Sequence, residues 1–228
     1  MKFSSKIIFR SIIKESLTVN KLTSSFFNLS NLHRIKSGQK NLIKYNYSFL
    51  KNVSIVVKGS NNYIRIDKLA FLSKSRISIK GNNNTIIIGK ACRIHEIEIC
   101  VEDDNNTLTI GDNSTIGGLT HMACIEGCRI SIGTDCMFSK DITLRTGDSH
   151  SILDMEGKRI NHSRDIIVGN HVWIGNRVIL LKGSKISENS IVATGSVVTK
   201  PFEKSNIIIA GTPAISVKEG ITWLRERI

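Results

Sequence analysis

Proline is nearly absent from this 228-residue chain, with two in the whole length. Aromatic rings are scarce as well: eight Phe, three Tyr and two Trp. A core with so few rings has to be filled by Ile, Val and Leu, which favours stacked β-strands. No run of 18 apolar residues occurs, which excludes a membrane-spanning helix. The opening MKFSSKIIFRSIIKESLTV is broken by Lys6, Arg10 and Lys14, so it lacks the apolar block of a secretory signal. The five cysteines (Cys92, Cys100, Cys124, Cys128 and Cys136) are odd in number and irregularly spaced. Free thiols in a reducing cytoplasm are therefore expected rather than a disulfide framework. Acid is scarce at the start: residues 1–50 hold nine Lys and Arg against Glu15 alone, whereas the other 178 residues hold 23 and 18. The net charge of +13 is thus concentrated at the N-terminus. Forty per cent hydrophobic residues, recurring along the whole length, exclude disorder as the main state.

What is present is a repeat. GSNNYIRI (59–66), GNNNTIII (81–88) and DDNNTLTI (103–110) each begin 22 residues after the last. Ile130 and Ile132 lie 22 beyond Leu108 and Ile110, and Ile77/Ile79 and Ile99/Val101 keep the same step. From Ile132 the step becomes six: Ile132, Phe138, Leu144 and His150, then Val168, Ile174, Leu180, Ile186, Val192 and Val198 in the same frame. Small residues follow the aliphatic (Gly133, Ser139, Gly169, Gly175, Ser187, Ala193). Small or β-branched residues recur four positions on (Cys136, Ile142, Val172, Val178, Ser184, Ser190, Ser196).

A six-residue step is a short strand plus a turn through about a third of a circle, so three steps close one coil of a triangular prism. The recurring aliphatic points inward and the small residue fits the corner. Stacked coils bond backbone to backbone. The 22-residue steps are the same coil with extra residues at a corner, where the Asn pairs suit left-handed backbone. A sandwich lacks a fixed step, and helical repeats need a 3.6 period that is missing between 53 and 200. The expected fold is an all-β parallel β-helix over 51–200 with a protruding loop at 154–165. A basic cap segment (1–50) precedes it, and a tail (201–228) with a short helix near Val217–Arg227 follows.

The segment Val168-Gly-Asn-His-Val-Trp-Ile-Gly175, with Gly195-Ser-Val-Val-Thr-Lys200 and Ile209-Ala-Gly-Thr-Pro-Ala214, resembles the C-terminal half of hexapeptide-repeat acetyltransferases. The likeness is close over 130–220 and one of repeat style over 53–130. Within that superfamily the chain is most similar to capsular and surface polysaccharide O-acetyltransferases, including those acting on polysialic acid. The resemblance implies a left-handed coil, against the usual right-handed crossover. It also implies a homotrimer in which donor and acceptor meet between subunits.

His150 closes Arg145-Thr-Gly-Asp-Ser-His150 and falls where the frame expects a core aliphatic, just before the only break in the six-step. A polar loop beside a misplaced His is how a solenoid builds a site. A lone His is otherwise a satisfied core or surface residue. In the resembling enzymes the matching His is the general base. A sugar hydroxyl is a poor nucleophile at neutral pH, and an imidazole can take its proton as attack begins. The thioester of acetyl-CoA is already activated, so acetyl-CoA is the expected co-substrate and no metal is expected. The tetrahedral oxyanion needs one or two fixed N–H donors. Trp173 is the second catalytic candidate, shaping that pocket by its indole N–H or by packing, or else a plain hydrophobic residue of the exposed coil face; the resemblance puts it beside the thioester. It puts Asn176, Ala193, Thr199 and Lys200 at acetyl-CoA contacts, and Lys218 near the nucleotide phosphates. Solvated surface charge is the plain alternative for both lysines. Where related enzymes often carry Lys or Arg after the Pro-Ala turn, this chain has Ile215. That phosphate contact is then either missing or supplied by Lys182 or Lys185. Asp148 is either an orienter of His150 or a turn residue. His162 is an acceptor contact or a solvent-exposed loop residue. His121, Cys124 and Cys128 lack an evident fourth ligand, so packing is the simpler reading.

Residues 3–19 read as a helix with Ile7, Ile8, Ile12 and Ile13 on one face. It is a cap over the open prism end or a peripheral contact with the membrane's inner face. The leading expectation is O-acetylation of a bacterial surface polysaccharide, with positive charge favouring an anionic, sialic-acid-type acceptor. Alternatives are acetylation of a small acceptor, such as an antibiotic or sugar nucleotide, and a non-catalytic scaffold. Nucleic acid is not expected as a partner, because Lys and Arg are not interleaved with aromatics.

Overall fold

The computed structural model describes residues 17–31, 33–45 and 47–228. Its body is a parallel β-solenoid of eight coils with three faces. Face A runs from His33–Ser37 in coil 1 to Val197–Val198 in coil 8. Face B runs from Leu42–Lys44 to Pro201–Phe202, and face C from Phe49–Lys51 to Ile207–Gly211. The spacing seen in the sequence is the register of the ladders. Ile99 lies beside Ile77 and Val101 beside Ile79. Leu108 and Ile110 face Ile130 and Ile132, and Ile132 faces Val168, six hexads on.

Alternation along each strand sends one residue in and the next out. The inward rows form one continuous aliphatic core with Ile and Val dominant. The corner positions Cys136, Ile142, Val172, Val178, Ser184, Ser190 and Ser196 are all buried. Cys92, Cys124 and Cys136 are free and buried, and desolvation pushes their thiols up to about 12, about 12 and about 11. The Asn pairs divide the corner's work. Asn61, Asn83 and Asn105 take the left-handed backbone, with φ of 57°, 57° and 63°. Asn62, Asn84 and Asn106 are buried and bond from coil to coil.

Three boundaries differ from expectation. The solenoid starts at His33, one coil before residue 51, because a coil of three short strands with few aliphatics leaves a weak periodic signal. The protruding segment is longer than 154–165: the chain leaves face A after Arg145 and rejoins face B at Ile166. The tail has no helix at Val217–Arg227. Ala214–Glu219 is instead a strand, antiparallel to Ile207–Gly211, that closes the edge of face C. An exposed ladder edge leaves backbone groups unpaired, and pairing them outweighs the local helical preference. At the other end the helix Leu17–Ser30 covers coil 1. Asn28 gives its amide to the Ser48 carbonyl at 3.0 Å and accepts from the Leu50 N–H at 2.8 Å. Apart from residues 17–19, the helix expected at 3–19 lies outside the described residues. Among the described residues no helix is long and apolar enough to cross a membrane.

Candidate active site

Residues 146–165 form the loop that carries His150. His150 is exposed and does not occupy the core position that the six-step frame gave it. That position in coil 6 belongs to Val168, which pairs with Ile132. The frame matched by count alone: Val168 follows Leu144 by 24 residues where one step takes six, and the 18 extra residues are themselves a multiple of six.

Side chains from two neighbouring coils hold the loop at the A–B corner. On coil 5, Glu126 binds Arg159 at 2.6 Å and accepts the Ser163 N–H at 3.2 Å. On coil 7, the Lys182 ammonium pairs with Asp148 and donates to the Asn161 carbonyl at 3.2 Å. Asn161 is the hub: its amide donates to Asp148 at 2.8 Å and to the His150 carbonyl at 2.7 Å, and its side-chain oxygen accepts the Ile152 N–H at 2.8 Å. Asp148 therefore does not bond the His150 ring; it fixes the backbone that presents it. The Lys182 and Asn161 donors hold the Asp148 carboxyl below its ordinary range. Nothing near His150 in the sequence signals Asn161 or Lys182, which lie 11 and 32 positions away.

A depressed carboxyl pKa stabilises the folded loop above the unfolded value, and that gain is lost as pH falls through the folded value. Acidification below the ordinary carboxylate range should thus loosen the loop before the core melts. Asp148→Asn should do so at neutral pH. It is expected to lower turnover roughly ten- to a hundredfold through misplacement of His150, with a thermal midpoint near the parent's. Turnover equal to the parent's would show that His150 is placed without this clamp.

Trp173 lies on face C of the same coil, 38% exposed. Its ring stands 6.2 Å from that of Trp223. The tail places Trp223 there: its ring stacks on His171 at 4.1 Å and its indole N–H donates to the His171 carbonyl at 2.9 Å. Asp135 binds both His171 (2.7 Å) and Arg225 (2.9 Å). His150 and Trp173 make no ring contact, because the A–B corner faces away from face C.

The expected donor contacts separate into two groups. Asn176 and Ala193 stack at the C–A corner, where the Gly195 N–H donates to the Asn176 carbonyl at 2.8 Å. The Asn176 side-chain oxygen is buried and has no hydrogen-bond partner. That is a ready acceptor for an amide N–H, the group a pantetheine arm carries. Thr199 and Lys200 are exposed in the turn after Val197–Val198, with Lys200 over the Phe202 ring at 5.7 Å. Lys218 is exposed on the edge strand. Lys182 and Lys185 are not spare phosphate contacts, since Asp148 and Glu203 hold them. His162 is exposed on the loop.

His121 does not meet Cys124, whose thiol is buried and points to the Cys128 carbonyl. His121 pairs instead with Glu98 at 3.4 Å on the outer face A, next to Cys100. These three donors lie on coils 4 and 5, apart from the His150 loop.

No family model matches the chain. Over 99 residues, 43% of the chain, it is 38% identical to the polysialic acid O-acetyltransferase of Escherichia coli O1:K1 / APEC. It is 37% identical, also over 99 residues, to that of Neisseria meningitidis. The chain spans 32% and 46% of the length of these two curated relatives. The crystal structure of the polysialic acid O-acetyltransferase OatWY superposes with a TM-score of 0.82 at 34% identity, covering 87% of this chain and 93% of that one. The polySia-specific acetyltransferase NeuO superposes at 0.77 and 29%, covering 86% and 90%.

Proposed function

The chain belongs to the hexapeptide-repeat O-acetyltransferases, those most like polysialic acid O-acetyltransferases, and on that premise we propose that it transfers acetyl from acetyl-CoA to a hydroxyl of an anionic surface polysaccharide. The observation that carries this reading is an exposed His150 on a loop fixed from two coils, in a chain alike over almost its whole length to OatWY.

In the proposed reaction the His150 ring takes the proton of a sugar hydroxyl as its oxygen attacks the thioester carbonyl. A C–O bond forms and the negative charge moves to the carbonyl oxygen. Collapse breaks the C–S bond, and the imidazolium returns its proton to the leaving sulfur. The products are the O-acetyl ester and free CoA thiol. Trp173 shapes the thioester end of the pocket. The unpartnered oxygen of Asn176 accepts an amide N–H of the pantetheine arm, and Ala193 lines the same corner. Thr199, Lys200 and Lys218 lie toward the nucleotide end, where the two ammonium groups face phosphate.

Within one chain His150 and Trp173 occupy opposite flanks of the prism. A complete site therefore takes His150 from one copy and Trp173 from its neighbour, the arrangement of a homotrimer. The test is an acceptor series with acetyl-CoA, read by thiol release. Sialic-acid oligomers should react faster than neutral oligosaccharides, and the preference should shrink as salt rises. Equal rates at all salt concentrations would remove anionic capture. No thiol release with any polysaccharide, together with no heat on titrating CoA, would remove acyl transfer.

A further inference from the structure

The helix Leu17–Ser30 is amphipathic in the reverse of the usual sense. Its inward face is polar: Asn20, Ser24 and Asn28 are 2%, 1% and 8% exposed. Phe27 adds two ring contacts, 5.5 Å from Phe49 and 6.0 Å from Phe71. Its outward face is apolar: Leu22, Phe26 and Leu29 are 67%, 75% and 88% exposed. Positions i, i+4 and i+7 fall on one stripe of a helix, opposite the buried row. The helix carries a single charge among its 14 residues, Lys21.

The coils beneath this helix are strongly basic. Residues 33–95, the first three coils, hold thirteen Lys and Arg and one acid, Asp67. Residues 96–228, which include the His150 loop, hold fourteen Lys and Arg against seventeen acids. Of the thirteen cations, only Arg65 and Lys80 form ion pairs among the described residues. The other eleven are exposed and without an acidic partner. Lys36, Lys40, Lys44 and Lys51 belong to coil 1 itself, beside the helix.

We infer that this end of the prism docks on an anionic lipid surface. Leu22, Phe26 and Leu29 enter the interface, and the cations of coils 1–3 face the headgroups. Apolar burial and attraction to anionic lipid reinforce one another in interfacial helices. An anionic polysaccharide would account for the cations but leaves the apolar stripe without a role. A second copy of the chain would cover the stripe but brings like charge against like charge. The surface is independent of the acyl-transfer reading, since it lies on coils 1–3 and His150 on coil 6.

The test is co-sedimentation of the full chain with vesicles of phosphatidylcholine alone or with phosphatidylserine added. Binding is expected to the anionic vesicles, with little to the neutral ones, and to weaken with salt. Two variants separate the occupants. Leu22→Ser with Phe26→Ser and Leu29→Ser should lose about tenfold or more in vesicle affinity with an unchanged melting curve. Lys36→Gln with Lys40→Gln and Lys44→Gln should lose a similar factor and the salt dependence. Absence of binding to anionic vesicles at low salt would overturn the inference. So would unchanged vesicle binding by the serine variant. A change of its oligomeric state in sedimentation would assign the stripe to a second copy instead. Binding of polysialic acid that displaces vesicles and ignores the serine changes would assign the cations to polymer.

Discussion

His150→Ala should fold as the parent does and lose acetyl transfer by roughly two to four decades. The fold expectation rests on position. The side chain is exposed on a loop, and the contact that fixes residue 150 is made by its backbone carbonyl to Asn161, which alanine keeps. The activity expectation rests on chemistry. Without a base the hydroxyl must lose its proton to water during attack on the thioester. The measurement pairs thiol release at saturating acetyl-CoA with a thermal melt. A parent-like rate with the true acceptor would remove His150 as the base. Donor affinity offers a second readout: CoA binding by calorimetry should be unchanged, because Asn176, Ala193 and the lysines are untouched.

The second large effect concerns stability. Asn84 is fully buried at the A–B corner. Its side-chain oxygen accepts both the Asn106 N–H (2.8 Å) and the Asn106 amide (3.0 Å), and its own amide donates to the Asp103 carbonyl at 3.0 Å. Asn62 below and Asn106 above repeat the arrangement. Asn84→Ala would remove the partner of the buried Asn106 N–H and of the part-buried Asp103 carbonyl. An unmet buried polar group costs about 1–3 kcal/mol, so a loss of roughly 2–5 kcal/mol is expected. Chemical denaturation read by circular dichroism would measure it. A loss under about 1 kcal/mol would mean that solvent enters the corner and satisfies both groups.

The periodic part of the chain was legible because its cause is local. A strand-and-turn unit repeats its aliphatic at a fixed count, and the ladders of Ile77, Ile99, Ile132 and Val168 align as that count requires. The same counting misplaced His150, since arithmetic cannot distinguish a chain that continues round the prism from one that leaves and returns in step. The tail was misread for a related reason. The local helical preference of its residues is weak, and the open edge of face C decided that Ala214–Glu219 would be a strand. The clamp of Asp148, Asn161 and Lys182 left no trace in the sequence, because Asn161 reaches Asp148 across the loop and Lys182 comes from the next coil.

The sequence by itself therefore determined the prism, the inward rows and the corner residues, all of which follow from the spacing of side chains along a turning strand. Only the tertiary structure decided where His150 stands, what fixes it, and that Trp173 lies on another flank. Those relations join residues well separated along the chain, and their distances depend on how the coils stack and the loop packs on them rather than on neighbours in sequence.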